Sequence, residues 1–143
     1  ERWPDCAPDL GGVERYGQFA ADKGFTIDAM ARAETRRAEF NNVMAAMFDE
    51  VDIVLAATNP STAFAAEGRI PHVFEGRESK AGNNGALTAP ANIFGNPAIA
   101  LPAGLASDGL PVSLQVLGPH FREDLLLEIA RIWERVHPVE LAI

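Results

Sequence analysis

The chain has 143 residues, of which 48% are hydrophobic and 22% charged, values that are typical of one globular domain. Acidic residues outnumber Lys and Arg by 20 to 12, so the net charge of −8 argues against direct binding of nucleic acid, which needs clustered cations. No apolar run reaches the roughly 18 residues that a membrane span needs. The one cysteine, Cys6, fits a reducing compartment, and we expect a cytoplasmic protein.

The first 25 residues contain a predicted loop and a short predicted helix. Prolines and a Gly-Gly pair over residues 1–12 predict a linker or loop. Val13–Lys23 carries apolar residues on one helical stripe, and Gly24 is a typical residue just after a helix. We expect residues 1–143 to form a single domain.

A long helix is predicted to begin after Thr26, whose side chain is suited to capping a helix N-terminus. Apolar residues recur at steps of three and four, and we expect this stripe to pack in the core: Phe40, Val43, Met44, Met47, Phe48 and Val51. The apolar run within Asp52–Thr58 then predicts a strand buried on both faces. A helix that leads into such a strand indicates an α/β fold with a helix-covered sheet.

The stretch from Ser61 to Gly85 shows little periodicity and contains several glycines, which predicts a long loop. Loops of this length in compact domains tend to carry function or to move.

Two strands and a turn are predicted between residues 98 and 117. Prolines bracket Ala98–Leu101 and Val112–Leu117, and Ser107–Gly109 carries a turn signal. Alternation along the second strand predicts that Val112, Leu114 and Val116 face inward while Ser113 and Gln115 face outward. The pattern is that of a β-hairpin.

A last helix is predicted to begin at Glu123 and to end at His137-Pro138, with acidic residues in its first turn and Arg135 in its last. Its predicted buried stripe is Leu126, Ile129, Ala130 and Trp133.

The hairpin region resembles the C-terminal part of the amidase signature family. Residues 92–104 read NIFGNPAIALPAG and residues 109–118 read GLPVSLQVLG, close to the family wording "aNl-G-PaisvP-G…GlPvGlQliG". The similarity extends from about Arg36 to Glu134. Two positions depart from the family pattern, since Ser113 stands where the family usually has glycine and Ala57 replaces the first proline of "PTxP".

The resemblance implies part of an α/β/α sandwich with a mixed sheet covered by helices. It also implies hydrolysis of carboxylic amides by a Ser/cis-Ser/Lys mechanism, without a metal or an organic cofactor. The Gly/Ser-rich segment that carries the family's nucleophile is absent from the sequence. We therefore expect no catalytic residue in this chain, which begins without methionine, and we expect it to be a C-terminal fragment whose N-terminal half holds the catalytic residues.

Neighbouring residues in the sequence give only weak support for a catalytic or metal site. Ser79-Lys80 pairs a nucleophile with a base, but adjacent residues in an extended loop usually point apart. The three histidines share no metal-binding spacing, and we expect no metal site: they are His72, His120 and His137.

Several residues are expected to border the substrate pocket through the resemblance. These candidates are Asn83, Asn84, Thr88, Asn92 and Phe94. The alternative interpretation is turn chemistry for Asn84-Gly85 and backbone capping for Asn92. Three apolar side chains indicate either an apolar pocket wall or core packing: Phe64, Ile93 and Phe94.

Three functions stay open at this stage. The first is an amidase that acts on a small-molecule amide. The second is the catalytic component of a tRNA-dependent amidotransferase, whose members often carry an acidic residue near the position of Gly85, whereas no acid lies between Ala81 and Ser107 here. The third is a non-catalytic binding module. The fragment alone is expected to expose apolar surface and to self-associate.

Overall fold

The computed structural model describes residues 26–67, 71–79 and 85–138. In chain order its elements are α1 (Ile27–Glu50), β1 (Val54–Ala57), β2 (Val73–Phe74), β3 (Arg77–Glu78), α2 (Ala89–Phe94), β4 (Ala98–Leu105), β5 (Pro111–Leu117) and α3 (Glu123–Val136). The predicted linker over residues 1–12 and the predicted helix over Val13–Lys23 lie outside the described residues. Within those described ranges, no helix is both long and apolar enough to cross a bilayer.

The sheet has three strands in the order β1-β5-β4, and both neighbouring pairs are antiparallel. Val116 of β5 lies opposite Leu55 on one side and Ile99 on the other. The predicted β4–β5 hairpin is confirmed, although β4 continues past Leu101 to Leu105 with an irregularity after Pro102. This sheet positions the end of β1 beside the first half of β5.

The turn between β4 and β5 forms where the sequence predicted it. The amide of Gly109 donates to the carbonyl oxygen of Ala106 at 2.9 Å, and the amide of Ala106 donates to Leu110 O at 2.9 Å. Gly109 has φ +80°, a conformation that glycine adopts without steric cost.

The core lies between α3 and one face of β4 and β5. Leu101 and Val116 of the sheet pack against Leu126 and Ala130 of the helix. Partly buried residues packed around this centre are Ile53, Ile99, Ile129 and Trp133. The predicted bounds and buried stripe of the last helix are therefore confirmed. The indole N–H of Trp133 also donates to Pro102 O at 2.8 Å, which joins the helix to β4.

The predicted outward position of Gln115 is wrong. Gln115 is only 4% exposed, and its side-chain amide donates to Leu87 O at 2.8 Å. The segment that leads into α2 therefore covers the sheet face opposite α3 at this position. Val116 is buried as expected, while Val112 and Leu114 are half-buried.

The prediction that β1 is buried on both faces is also wrong. Leu55 is 57% exposed, although it pairs with the fully buried Val116. The core formed by α3 with β4 and β5 includes Ile53 but leaves the Leu55 side chain largely exposed. A short apolar run cannot by itself reveal how far the covering helix reaches.

Helix α1 begins as predicted, because the Thr26 hydroxyl oxygen accepts a hydrogen bond from the amide of Ala29 at 3.1 Å. The expectation that its apolar stripe packs in the core is wrong for the described residues. Phe40 and Val43 are exposed, whereas Met44, Met47 and Phe48 are half-buried. The main partner of α1 is the short α2, with ring centroids of Phe40 and Phe94 6.1 Å apart.

Two small elements were not predicted, of which the first lies in the stretch from Ser61 to Gly85 that was expected to be loop. β2 and β3 form a two-stranded hairpin whose turn places Glu75 and Gly76 at φ +49° and +76°. α2 carries a proline near its start and ends at Gly95, which has φ +75°.

Candidate functional site

A cleft of about 440 Å³ lies between the loop that follows β1 and the beginning of β5. Residues 58–64 form that loop, which is called the 58–64 loop below. The residues lining the cleft are Ala57, Asn59, Pro60, Ser61, Thr62, Ala63, Phe64, Pro111, Val112 and Ser113. None of them is charged, and the lining mixes apolar side chains with a few hydroxyl and amide groups.

The first residue of the 58–64 loop is joined to β5 by three hydrogen bonds. The amide and the hydroxyl of Thr58 both donate to Ser113 O, each at 3.2 Å. The Ser113 hydroxyl donates in turn to Oγ1 of Thr58 at 2.8 Å. Because both side chains are partly buried, this pair fixes the start of the loop against β5.

A second connection joins the same loop to the β4–β5 turn. The Thr62 hydroxyl donates to Oδ2 of Asp108 at 2.8 Å, and the amide of Leu110 donates to Oδ1 at 3.0 Å. These two hydrogen bonds, with that from Leu110 the larger effect, lower the pKa of Asp108 below its ordinary value. The carboxylate therefore stays ionised at neutral pH and holds the loop and the turn together.

The cleft wall contains one unusual polar atom. The Ser61 hydroxyl oxygen is inaccessible to solvent and has no hydrogen-bond partner among the described residues. A buried hydroxyl in this state lowers its free energy by gaining a partner. The Phe64 side chain in the same wall is 44% exposed and offers apolar contact surface.

Comparison with known proteins identifies the family. The Amidase family model matches residues 11–127, which is most of the chain. The chain belongs to the amidase signature family. It is 33% identical over 119 residues to the A subunit of glutamyl-tRNA(Gln) amidotransferase from Listeria monocytogenes, covering 83% of this chain and 23% of that protein. It therefore spans about a quarter of the length of the relatives it matches.

Solved structures of similar fold confirm the α/β fold. The structure of 6-aminohexanoate cyclic dimer hydrolase is 27% identical, with a TM-score of 0.68 over 89% of this chain and 28% of that one. A second structure, from a study of a vestigial protein complex and the origins of an s-triazine catabolic enzyme, has a TM-score of 0.79. It covers 99% of this chain and 32% of that one, and at 21% identity it shows the fold alone.

Three of the five predicted pocket residues, Thr88, Asn92 and Phe94, lie in α2 or at its start. The Thr88 hydroxyl donates to Gly85 O at 3.2 Å, and the side-chain amide of Asn92 donates to Thr88 O at 3.1 Å. Phe94 is half-buried against Phe40. Asn83 and Asn84 lie outside the described residues. A role of these five residues in substrate binding stays a prediction.

Some residues of the cleft and of its loop were not predicted from the sequence. Phe64 was expected as a possible wall residue and does line the cleft, whereas Thr88, Asn92 and Phe94 do not. Thr62, which lines the cleft, and Thr58, which holds the start of the 58–64 loop, were not singled out. Besides Phe64, the sequence carried a signal at Ser113, which departs from the family's usual glycine and supplies the hydroxyl that bonds to Thr58.

The serine and histidines that were considered for catalysis or metal binding make hydrogen bonds or ring contacts within the fold. The amide of Ser79 donates to His72 O at 2.6 Å, and Lys80 lies outside the described residues. His120 Nε2 hydrogen-bonds with Phe94 O at 2.7 Å, and the His137 ring stacks on Trp133 with centroids 4.2 Å apart. In the part of the chain that the structure describes, no group of three or more His, Cys, Asp or Glu side chains is arranged to hold a metal ion.

Proposed function

We propose that this chain is the C-terminal segment of an amidase that hydrolyses the C–N bond of a small-molecule carboxylic amide. The observation that carries the proposal is the Amidase family match over residues 11–127. The likeness to 6-aminohexanoate cyclic dimer hydrolase, a named hydrolase with 27% identity, supports the same reaction class. In this proposal the nucleophile and its base come from an N-terminal half that precedes the chain.

The chain then contributes the scaffold and part of the substrate pocket. Strands β1, β4 and β5 with α3 hold the cleft, and the α2 region presents three of the predicted pocket residues, Thr88, Asn92 and Phe94. We assign no metal or organic cofactor to the reaction and place the protein in the cytoplasm, where its one cysteine stays reduced. The partners in this proposal are the amide substrate and the N-terminal half.

The catalytic component of a tRNA-dependent amidotransferase is the second candidate, because a protein of that kind is 33% identical to this chain. Transfer of ammonia from glutamine requires recognition of the charged glutamine amino group, for which an acidic residue is suited. The sequence has no acidic residue between Ala81 and Ser107, so hydrolysis of other amides fits this chain better.

The test is an assay of the full-length protein for ammonia or amine release from a panel of simple amides, beside an assay for glutamine-dependent amidation of Glu-tRNA. The proposal expects hydrolysis and covalent labelling of a serine outside residues 1–143 by a serine-directed reagent. The labelled serine changed to alanine serves as the inactive control. A folded protein that hydrolyses no amide, or that only amidates tRNA, contradicts the proposal.

A further inference from the structure

We propose that the cleft beside the 58–64 loop binds the uncharged, apolar end of the amide substrate, an inference that rests on the proposed amidase function. At about 440 Å³ the cleft has the size of a small-molecule site. Its walls combine apolar side chains with the polar side chains of Asn59, Ser61, Thr62 and Ser113, and polar groups in such sites orient the ligand.

The apolar contacts come from both sides of the cleft. Phe64 presents a partly exposed ring from the loop, and Pro111 and Val112 present apolar surface from β5. An alkyl or aryl group placed between them removes apolar surface from water on both sides. Such burial is favourable in proportion to the area removed, so the length of an uncharged substituent contributes directly to binding.

The charges around the cleft disfavour an ionised ligand end. Among the described residues no charged side chain lines the cleft, so a buried carboxylate or ammonium loses hydration without gaining an ion-pair partner there. The carboxylate of Asp108 accepts a hydrogen bond from the lining residue Thr62 on one oxygen and from the amide of Leu110 on the other. Its negative charge repels a carboxylate on the ligand and attracts an ammonium, so the loss of hydration is what disfavours the ammonium in the cleft.

The wall is held in place before a ligand arrives. Thr58 is bonded to Ser113 at one end of the loop, and Thr62 is bonded to Asp108 further along. A wall that is fixed in advance loses less conformational entropy on binding, which makes selection between ligands sharper.

The experiment compares three six-carbon amides that differ only in the terminal group: hexanamide, the monoamide of adipic acid and 6-aminohexanamide. In the full-length protein, kcat/KM for hexanamide is expected to exceed that for both charged amides by about tenfold or more, since terminal groups are discriminated through their contacts in the bound state. Phe64→Lys is expected to lower kcat/KM for hexanamide and to raise it for the adipic acid monoamide.

The matched control is Phe121→Lys. This variant adds the same charge at an exposed phenylalanine that does not line the cleft, and it is expected to leave the order of the three amides unchanged. Equal kcat/KM values for the three amides in an active protein, or an order that Phe64→Lys does not alter, overturn the inference and leave the proposed function standing.

If the protein hydrolyses no amide, the proposed function fails, and binding is then measured directly. Ligand-observed NMR with hexanamide tests the cleft without any turnover. Binding that Phe64→Lys abolishes and Phe121→Lys preserves supports the site, whereas no binding to the wild-type protein, or equal binding to both variants, overturns it.

Discussion

The hydroxyl of Ser113 donates a hydrogen bond to Oγ1 of Thr58 at 2.8 Å, although the two residues lie 55 positions apart in the chain. The pair joins the residue after β1 to the first half of β5, and Ser113 lines the cleft. Because the amidase wording usually has glycine at position 113, the side-chain part of this connection is a feature of this chain. The backbone bond from Thr58 to Ser113 O does not need the serine.

The first prediction concerns the stability of this pair. Ser113→Ala and Thr58→Val are each expected to lower the free energy of unfolding by about 1 kcal/mol, the usual net contribution of a hydrogen bond. A double-mutant cycle measured by urea denaturation is expected to give a coupling of about 0.5 kcal/mol or more. Ser107→Ala, at an exposed serine of the turn, is the control. Strictly additive effects would show that the two hydroxyls do not stabilise each other.

The second prediction concerns α3. Leu126 is 3% exposed and packs in the core, whereas its neighbour Leu127 is 64% exposed. Leu126→Ala is expected to cost about 3 kcal/mol of unfolding free energy because it leaves a cavity. Leu127→Ala in the same helix is expected to cost about 0.5 kcal/mol or less, since surface changes are small. Similar costs for the two variants in chemical denaturation would contradict the observed packing.

The sequence predicted the hairpin and α3 because their signals are local. Proline brackets and the Ser107–Gly109 turn define the hairpin, and spacing of three and four residues defines the buried stripe of α3. The prediction that Gln115 faces outward failed, because the burial of its side chain depends on a hydrogen bond to Leu87 O, 28 residues away. The sequence pattern also missed α2, which has six residues and is too short to show helical periodicity.

The site was less predictable than the fold, for a related reason. Phe64 and Ser113 each carried a signal of residue type, the first as an aromatic in a polar loop and the second as a departure from glycine. Thr58 and Thr62 carried none, because their partners lie 55 and 46 positions away. Contacts of that range depend on the final packing of β1 beside β5.

The third prediction concerns the pH dependence of the Asp108 connection. The pKa of Asp108 is lowered in the folded protein, so its contribution is complete above the ordinary pKa and is lost as the pH falls through the lowered value. The amide NMR signal of Leu110 is expected to titrate with a midpoint below the ordinary aspartate pKa of about 3.9. Asp108→Asn is expected to abolish that titration. A midpoint at or above the ordinary value would contradict the two hydrogen bonds.

The fourth prediction concerns the exposed apolar side of α1. Val43 is 64% exposed on a helix that has no fully buried residue among those described. We expect residues 1–143 prepared alone to self-associate, because exposed apolar surface favours contact with another copy. Light scattering is expected to show less association for Val43→Lys than for Ala45→Lys, which adds the same charge elsewhere on the helix. A monomer at high concentration would contradict this prediction.

The last prediction is that residues 1–143 prepared alone hydrolyse no simple amide. Fast amide hydrolysis needs a positioned nucleophile and base, and losing such groups costs several powers of ten in rate. Ser79 is the serine with the nearest lysine in sequence, and its amide bonds to His72 O in the described structure. We therefore expect Ser79→Ala to leave kcat/KM of the full-length protein unchanged, while a serine-directed reagent labels a residue outside this chain. Enzyme-like turnover of an aryl amide by the isolated chain, or labelling of Ser79, would place the nucleophile here and overturn the assignment.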